Sequence, residues 1–258
     1  LDNTKTYNRI LNIIERNGSA FAILLDPDRE NPQSLAETAR LSEDAGADII
    51  YVGSSMLLSN NFNPAVSAIK KATNLPVVIF PGNAQMISPD ADAILFLCLV
   101  SSRNPEMLIG QQVKAAPLIK EMQIEPIPTG YILVESGKLN AAQFMSGSLP
   151  IPRNKPDLVC AHALAAEYLG MKLIFTDAGS GADFPIPVEV ICELKNYVSI
   201  PICVGGGIRS PQAAYERVRA GADIIVIGNA FEENGPQLIA EFADAIHTSE
   251  KSHTLSEK

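Results

Sequence analysis

Short apolar runs recur along the chain at regular intervals. They are "FAILL" (Phe21–Leu25), "DIIYV" (Asp48–Val52), "PVVIF" (Pro76–Phe80), "AILFL" (Ala93–Leu97), "GYILV" (Gly130–Val134), "KLIFT" (Lys172–Thr176), "PICV" (Pro201–Val204) and "DIIVI" (Asp223–Ile227). Most are continuous rather than alternating, the pattern of parallel strands buried on both faces. Helix-compatible stretches separate most of them. Pro32–Ala45 has apolar and alanine positions at helical spacing, Pro187–Tyr197 follows suit, and "SPQAAYERVRAG" offers Ser210 as N-cap, Pro211 at N1 and Gly221 as a stop. Eight strands with intervening helices predict a (β/α)8 barrel, with an open doubly wound sheet as the competitor. One interval breaks the rule. Between Phe80 and Ala93 lies only "PGNAQMISPDAD", too short for a crossover helix. The expected fold class is therefore α/β, a (β/α)8 barrel whose third βα unit lacks its helix. A single domain over 1–258 is expected, with an N-terminal helix in 1–19 and a polar, frayed tail over 248–258. The long segment "SGKLNAAQFMSGSLPIPRNKPD" after Glu135 exceeds an ordinary βα loop and is expected to cover the mouth of the active site.

Composition narrows the choice of partner. Apolar residues make up 47% of the 258 and charged residues 19%, enough for a large core. The formal net charge is −9, which argues against general binding to nucleic acid or to an anionic membrane. An anionic small substrate would need backbone amides or a divalent cation to hold it. Cys98, Cys160, Cys192 and Cys203 show no C-x-x-C spacing and fit buried small hydrophobes in a reducing cytosol. His162, His247 and His253 have no metal-ligand spacing. No signal peptide or long apolar span is visible, so a soluble, cytoplasmic protein is expected.

In a barrel, chemistry belongs where strands end. The junctions after strands six, seven and eight read "DAGSGADFP", "GGGIRSP" and "GNAFEENG". Three neighbouring glycine-rich ends suit a phosphate site made of main-chain donors. Gly206 and Gly207 would let the backbone approach the anion, Gly228 and Asn229 would add donors, and Ser180 a hydroxyl. Tight turns alone are the alternative, and Arg209 could assist the phosphate or simply solvate a helix start. Asp26 and Asp28 in "DPD" suggest Mg²⁺ beside that phosphate, with Ser54 or Ser55 as a further oxygen donor, although Asp-Pro-Asp is also a good turn by itself. Tyr131 and Glu135 are four apart and share a strand face. Glu135 could accept a hydroxyl proton, Tyr131 could bond a substrate oxygen, and Asp177 is a second hydroxyl contact.

"LLDPDRENP", "YVGSS", "GYILVESG", "FTDAGSGA", "VGGGI" and "IGNAFEENG", in this order from about Asp26 to Gly235, resemble the geranylgeranylglyceryl phosphate synthase family, which includes bacterial heptaprenylglyceryl phosphate synthases. "DAGSGAD" and the long segment after strand five are most similar to the family's second group. The resemblance implies an α/β fold, a modified TIM (β/α)8 barrel with the third helix missing or replaced by an extended segment. It also implies an enzyme that joins the chain of an all-trans polyprenyl diphosphate to the C3 hydroxyl of sn-glycerol 1-phosphate, with Mg²⁺ and release of diphosphate. Carried over, Asp26 and Ser55 fall on metal positions. Phe175, Thr176, Asp177, Ala178, Gly179, Ser180, Gly181, Gly206, Gly207, Gly228 and Asn229 fall on glycerol-phosphate positions, and Tyr131 on the strand-five tyrosine. Leu24 stands where some members carry a lysine. Catalysis would rest on Glu135, Tyr131 and Asp26. A homo-oligomer (dimer or hexamer) and transient membrane contact by the product are further expectations. A sugar-phosphate isomerase of the histidine or tryptophan type, with Asp26 and Asp177 as its carboxylate pair, is the rival enzyme; a non-catalytic flavin or nucleotide binder is the other rival.

Overall fold

In the computed structural model, which describes residues 4–228 and 235–247, the apolar runs become eight parallel strands. They are β1 (Ala20–Leu25), β2 (Ile49–Val52), β3 (Val77–Ile79), β4 (Ala93–Leu99), β5 (Glu125–Leu133), β6 (Leu173–Asp177), β7 (Ile202–Gly205) and β8 (Ile224–Ile227). They pair in chain order and close with β1 against β8. The helices are α1 (Lys5–Asn17), α2 (Pro32–Asp44), α3 (Phe62–Ala72), α4 (Gln111–Glu121), α5 (Ala141–Ser146), α6 (Pro156–Tyr168), α7 (Val188–Tyr197), α8 (Pro211–Ala220) and α9 (Gly235–Ile246). A π-helical turn, Glu106–Gly110, leads into α4.

Two cores explain why the strand runs do not alternate. One residue set, including Tyr51, Leu95, Ile127, Tyr131, Phe175 and Cys203, fills the barrel, with Ile10 and Ile13 of α1 packed onto it from below. The other set, including Ile50, Val52, Ile174 and Val204, packs outward against the helices. Each strand is therefore apolar on both faces.

Carboxylates fix the foot of the barrel. Asp48, Asp92 and Asp223 stand just before β2, β4 and β8. Their side chains accept the N–H of Phe21 (2.8 Å), Val77 (2.8 Å) and Ile202 (2.9 Å), each at the foot of the preceding strand. His247, Lys70 and Lys195 contact the same three carboxylates. "GADII" occurs at both 46–50 and 221–225, and in both copies the glycine adopts positive φ, ending a helix, before the aspartate pins the next strand pair. Glu125, buried at the start of β5, accepts the N–H groups of Thr6 (2.6 Å) and Tyr7 (3.0 Å) and so caps α1 from across the barrel.

Some expectations change. β5 begins five residues before "GYILV", because Pro126 and Pro128 lie inside it and prolines, lacking N–H, disguise a strand. The segment after Glu135 contains α5 and a bridge from Val134 to Ile151 rather than loop alone. Cys192 is exposed and Cys98 half-buried, so only Cys160 and Cys203 are the buried hydrophobes expected. The interval from β3 to β4 contains no helix; Met86, Ile87 and Ser88 are buried in an extended path. Ser210 accepts from the Ala213 N–H and Gly221 has φ 114°, as the capping pattern predicts. The tail over 248–258 lies outside the described residues.

Asp223→Ala would orphan the Ile202 N–H and strip Lys195 of a buried partner, so urea unfolding should show a loss of about 3 kcal/mol. Asp44→Ala, which removes only an exposed pair with Arg40, should stay within about 0.5 kcal/mol of wild type.

Candidate active site

The mouth of the barrel opens into one cavity of about 980 Å³. Its two ends differ in chemistry. Gly205–Gly207, Gly228, Ser180 and Gly181 line the end above β6–β8. The other end is apolar and extends past β4 to Ile87, Ile94, Phe96, Ala115 and Ile119. Ile94 and Phe96 belong to the outward, helix-side face of β4. This is where a third helix would have packed, and its absence leaves the groove.

Glycine at the polar end is a steric requirement. Gly206 and Gly207 have φ of 83° and 71°. A Cβ on Gly206 would lie 2.6 Å from the Gly179 nitrogen and 2.7 Å from the Asp177 carboxylate; one on Gly207 would lie 2.9 Å from the Pro185 nitrogen. Among the described residues no acceptor meets the N–H groups of Gly206, Gly207 or Ile208. Consecutive unpaired donors in a concave turn form an anion-binding nest.

Asp177 ties three loops together. Its carboxylate accepts from the Tyr131 hydroxyl (2.5 Å) and the Gly179 N–H (2.8 Å), and packs under Gly206. Burial pushes its pKa up, against the pull of those two hydrogen bonds. Burial, and then the charge of Asp177, hold the Tyr131 phenol well above its usual range. Tyr131 is also part of an aromatic floor. Phe80 stacks on Phe175 with centroids 4.8 Å apart, and Tyr131 meets both edge-on at 5.8 and 5.5 Å.

The structure separates the residues singled out in the sequence. Asp26, Ser55, Tyr131, Phe175, Asp177, Ser180, Gly181, Gly206, Gly207 and Gly228 all line the cavity. Gly179 supports it from behind: a Cβ there would strike the Asn140 amide, whose Nδ2 donates to the Ala178 carbonyl at 2.8 Å. Thr176 points away, donating to the Cys203 carbonyl, and Ala178 is buried. Asn229 lies outside the described residues. Glu135 continues the inward face of β5 past Leu133 and stands exposed at the rim, outside the cavity lining. Among the described residues its carboxylate has no hydrogen-bond partner. Arg209 lines the cavity while donating to the Ala182 carbonyl at 2.7 Å; Arg103 does not reach it. Sequence reasoning missed Phe80 as floor and Asn140 as buttress. Asn140 carried a signal, since Asn140 and Gln143 form a capping box at α5.

The donor set near Asp26 suits a hard cation shared with a phosphate. Asp26 and Ser55 bring a carboxylate and a hydroxyl from adjacent loops to the same cavity; Asp26 Oδ1 accepts one N–H, from Asp28 (3.0 Å), and Oδ2 lies 3.6 Å from the Arg29 guanidinium, a looser engagement than that of Asp28. Among the described residues no three His, Cys, Asp or Glu group to hold a metal by themselves. Mg²⁺ needs only one or two carboxylates when substrate oxygens complete its shell, so the residues fit. Asp28 is already committed: its carboxylate accepts from the Leu58 N–H (2.7 Å) and the Ser59 hydroxyl (2.5 Å), fastening the first loop to the second.

Because its folded pKa is raised, Asp177 contributes most to stability below its unfolded pKa, about 3.9, and that contribution is lost as pH rises through the folded value. The melting temperature of Asp177→Asn relative to wild type should therefore rise between about pH 4 and pH 7. A flat difference across that range would remove the burial cost.

The model of the PcrB family matches residues 11–246. The geranylgeranylglyceryl phosphate synthase of Chitinophaga pinensis is 43% identical over 245 residues, 95% of this chain and 97% of that one. That of Methanosphaera stadtmanae is 45% identical over 226 residues, 87% and 92% of the two chains. Among solved structures, (S)-3-O-geranylgeranylglyceryl phosphate synthase from Thermoplasma acidophilum, in complex with the substrate sn-glycerol-1-phosphate, matches with a TM-score of 0.87 and 37% identity over 92% of this chain and 98% of its own. With this barrel, this mouth and relatives matched over nearly their whole length, the chain belongs to the PcrB family, in the branch of the geranylgeranylglyceryl phosphate synthases.

Proposed function

We propose that this protein is a prenyltransferase that joins a polyprenyl diphosphate to the C3 hydroxyl of sn-glycerol 1-phosphate, forming an ether-lipid precursor. The observation that carries the reading is the two-ended cavity: unpaired main-chain donors at one end and an apolar groove at the other, in one continuous space. An isomerase needs the first end and has no use for the second. The Thermoplasma acidophilum relative, solved with sn-glycerol-1-phosphate, supports the assignment of the polar end.

Each part then has work to do. The nest at Gly206–Ile208, with Gly228 and Ser180, holds the phosphate by dipoles rather than by side-chain cations. Tyr131, fixed by Asp177, orients the glycerol hydroxyls. The prenyl chain lies in the groove along β4 and α4, where each buried CH₂ contributes roughly 0.8 kcal/mol. Asp26 and Ser55 would hold Mg²⁺, which when bound supplies positive charge for the leaving diphosphate. In the reaction the C3 oxygen bonds to prenyl C1 as the C1–O bond breaks, diphosphate leaves with the electron pair, and the hydroxyl proton passes to a base. Both oxygens of Asp177 are engaged, so it positions Tyr131 instead. Glu135, at the rim just outside the cavity, is the uncommitted carboxylate at the end of the same strand face, and the proton is assigned to it through a bridging water.

Labelled glycerol 1-phosphate incubated with polyprenyl diphosphate and Mg²⁺ should enter the organic phase; no transfer with any chain length would refute the assignment. Glu135→Gln should lower kcat on the order of 10²-fold with little change in KM for glycerol phosphate. Unchanged turnover would clear Glu135 of the role. Gly228 has nothing within 4 Å of a built Cβ, so Gly228→Ala should leave the melting temperature alone. Its methyl would project into the anion's space and raise KM about tenfold.

A further inference from the structure

The rim of the cavity carries exposed apolar side chains from several loops. Met56 and Leu58 stand on the loop after β2, Leu139, Phe144 and Leu149 on the segment after β5, and Phe184 after β6. Leu149 is 89% exposed, Leu58 79%, Phe144 73% and Leu139 70%. All follow the C-terminal ends of strands, so they face one side of the molecule. A patch of this kind, rather than a single exposed leucine, marks an interaction surface.

The fold holds these side chains outward. The capping box of Asn140 and Gln143 fixes α5, and the Asn140 amide ties it to the Ala178 carbonyl. The patch is also continuous with the groove, because Met56, Leu58, Phe144 and Met145 line the cavity as well. The rim is mixed in charge: Lys138, Arg153 and Lys155 stand on the segment after β5, flanked by Glu135 and Asp157. Lys138 is paired with Asp183, and Arg153 lies over the Phe184 ring.

We infer that this rim docks on the surface of a lipid bilayer and that the polyprenyl diphosphate passes from the bilayer into the groove without crossing water. The inference rests on the transferase reading, since a long-chain diphosphate partitions into membranes. The overall negative charge opposes approach to anionic lipid, and the rim itself carries Glu135 and Asp183 beside its basic residues, so the contact rests on the apolar side chains. Apolar side chains at headgroup depth with basic groups beside them are the makings of an interfacial anchor. Among the described residues no helix is long and apolar enough to cross a membrane, so the contact is peripheral.

Flotation of the full chain with phosphatidylcholine vesicles, with and without phosphatidylglycerol, tests the docking directly. Wild type should float with phosphatidylcholine alone, and phosphatidylglycerol is not required for it. Leu139 and Leu149 do not line the cavity, so the double substitution Leu139→Glu/Leu149→Glu should spare turnover of a short, water-soluble allylic diphosphate. The same variant should lose about fivefold or more in flotation and in turnover of a long-chain diphosphate delivered in vesicles. Leu169→Glu, equally exposed but at the foot of the barrel after α6, should behave as wild type. Wild type left in the bottom fraction, equal losses in the Leu169 variant, or undiminished vesicle turnover in the rim variant would overturn the inference. So would light scattering that shows the rim substitutions splitting a dimer, for then a second copy covers this face. Failure of turnover in wild type with the soluble substrate would sink the transferase reading instead, while flotation still reports on docking.

Discussion

A buried negative charge under an anion site is the constraint around which this mouth is built. Asp177 sits at the end of β6 beneath the very turn that offers unpaired N–H groups to a phosphate. Two like charges so close repel, and donors on the lower one offset part of that cost. Both of its oxygens have one: the Tyr131 hydroxyl donates to one and the Gly179 N–H to the other. The two hydrogen bonds dissipate its charge into β5 and the β6 loop. They also set the orientation of the Tyr131 hydroxyl and the path of the chain through Gly179. Gly206 can then close over the carboxylate only because it has no Cβ. Remove the aspartate and the turn, the phenol and the loop lose their common reference.

The two ends of the barrel divide structural and chemical duties. At the foot, carboxylates are saturated by strand N–H groups and by lysine or histidine, and α1 is held against the barrel by Glu125. Those contacts fix register where nothing must move. At the mouth, donors are left unpaired and Glu135 uncommitted, which has a cost in stability and leaves groups free for substrate. The missing third helix belongs to the same division. A barrel that covered β4 fully would have no place for a long apolar chain beside its phosphate site.

Much of this was legible in the sequence because strands buried on both faces announce themselves as apolar runs. The strand count, the missing helix and the glycine-rich ends all follow from that and from the steric meaning of consecutive glycines. What escaped was information carried by position rather than type. The prolines at 126 and 128 hid the first half of β5, which pairs with β4 regardless. The aspartates of the two "GADII" copies look like ordinary strand-flanking polar residues until the N–H groups they accept are seen. Thr176 and Phe175 are adjacent in sequence, and only strand alternation assigns one to the helix side and the other to the cavity floor. Asp28 illustrates the reverse case. It has the right chemistry for a cation and the right neighbourhood, yet Leu58 and Ser59 consume its oxygens.

The acidity of the chain and its anionic ligands are compatible for a reason that reaches the energetics. A groove that buried about twenty carbons would contribute as much as 16 kcal/mol by transfer alone, near the limit of non-covalent affinity. Adding several lysines or arginines at the phosphate end would make product release the slow step. A grip made of main-chain dipoles orients the headgroup at modest strength. Arg209, the cation that does line the cavity near β7, already gives a guanidinium N–H to the Ala182 carbonyl. The tail therefore supplies affinity and the glycine turns supply geometry. On this division, shortening the prenyl chain weakens binding, whereas disturbing Gly207 misplaces the hydroxyl that must attack.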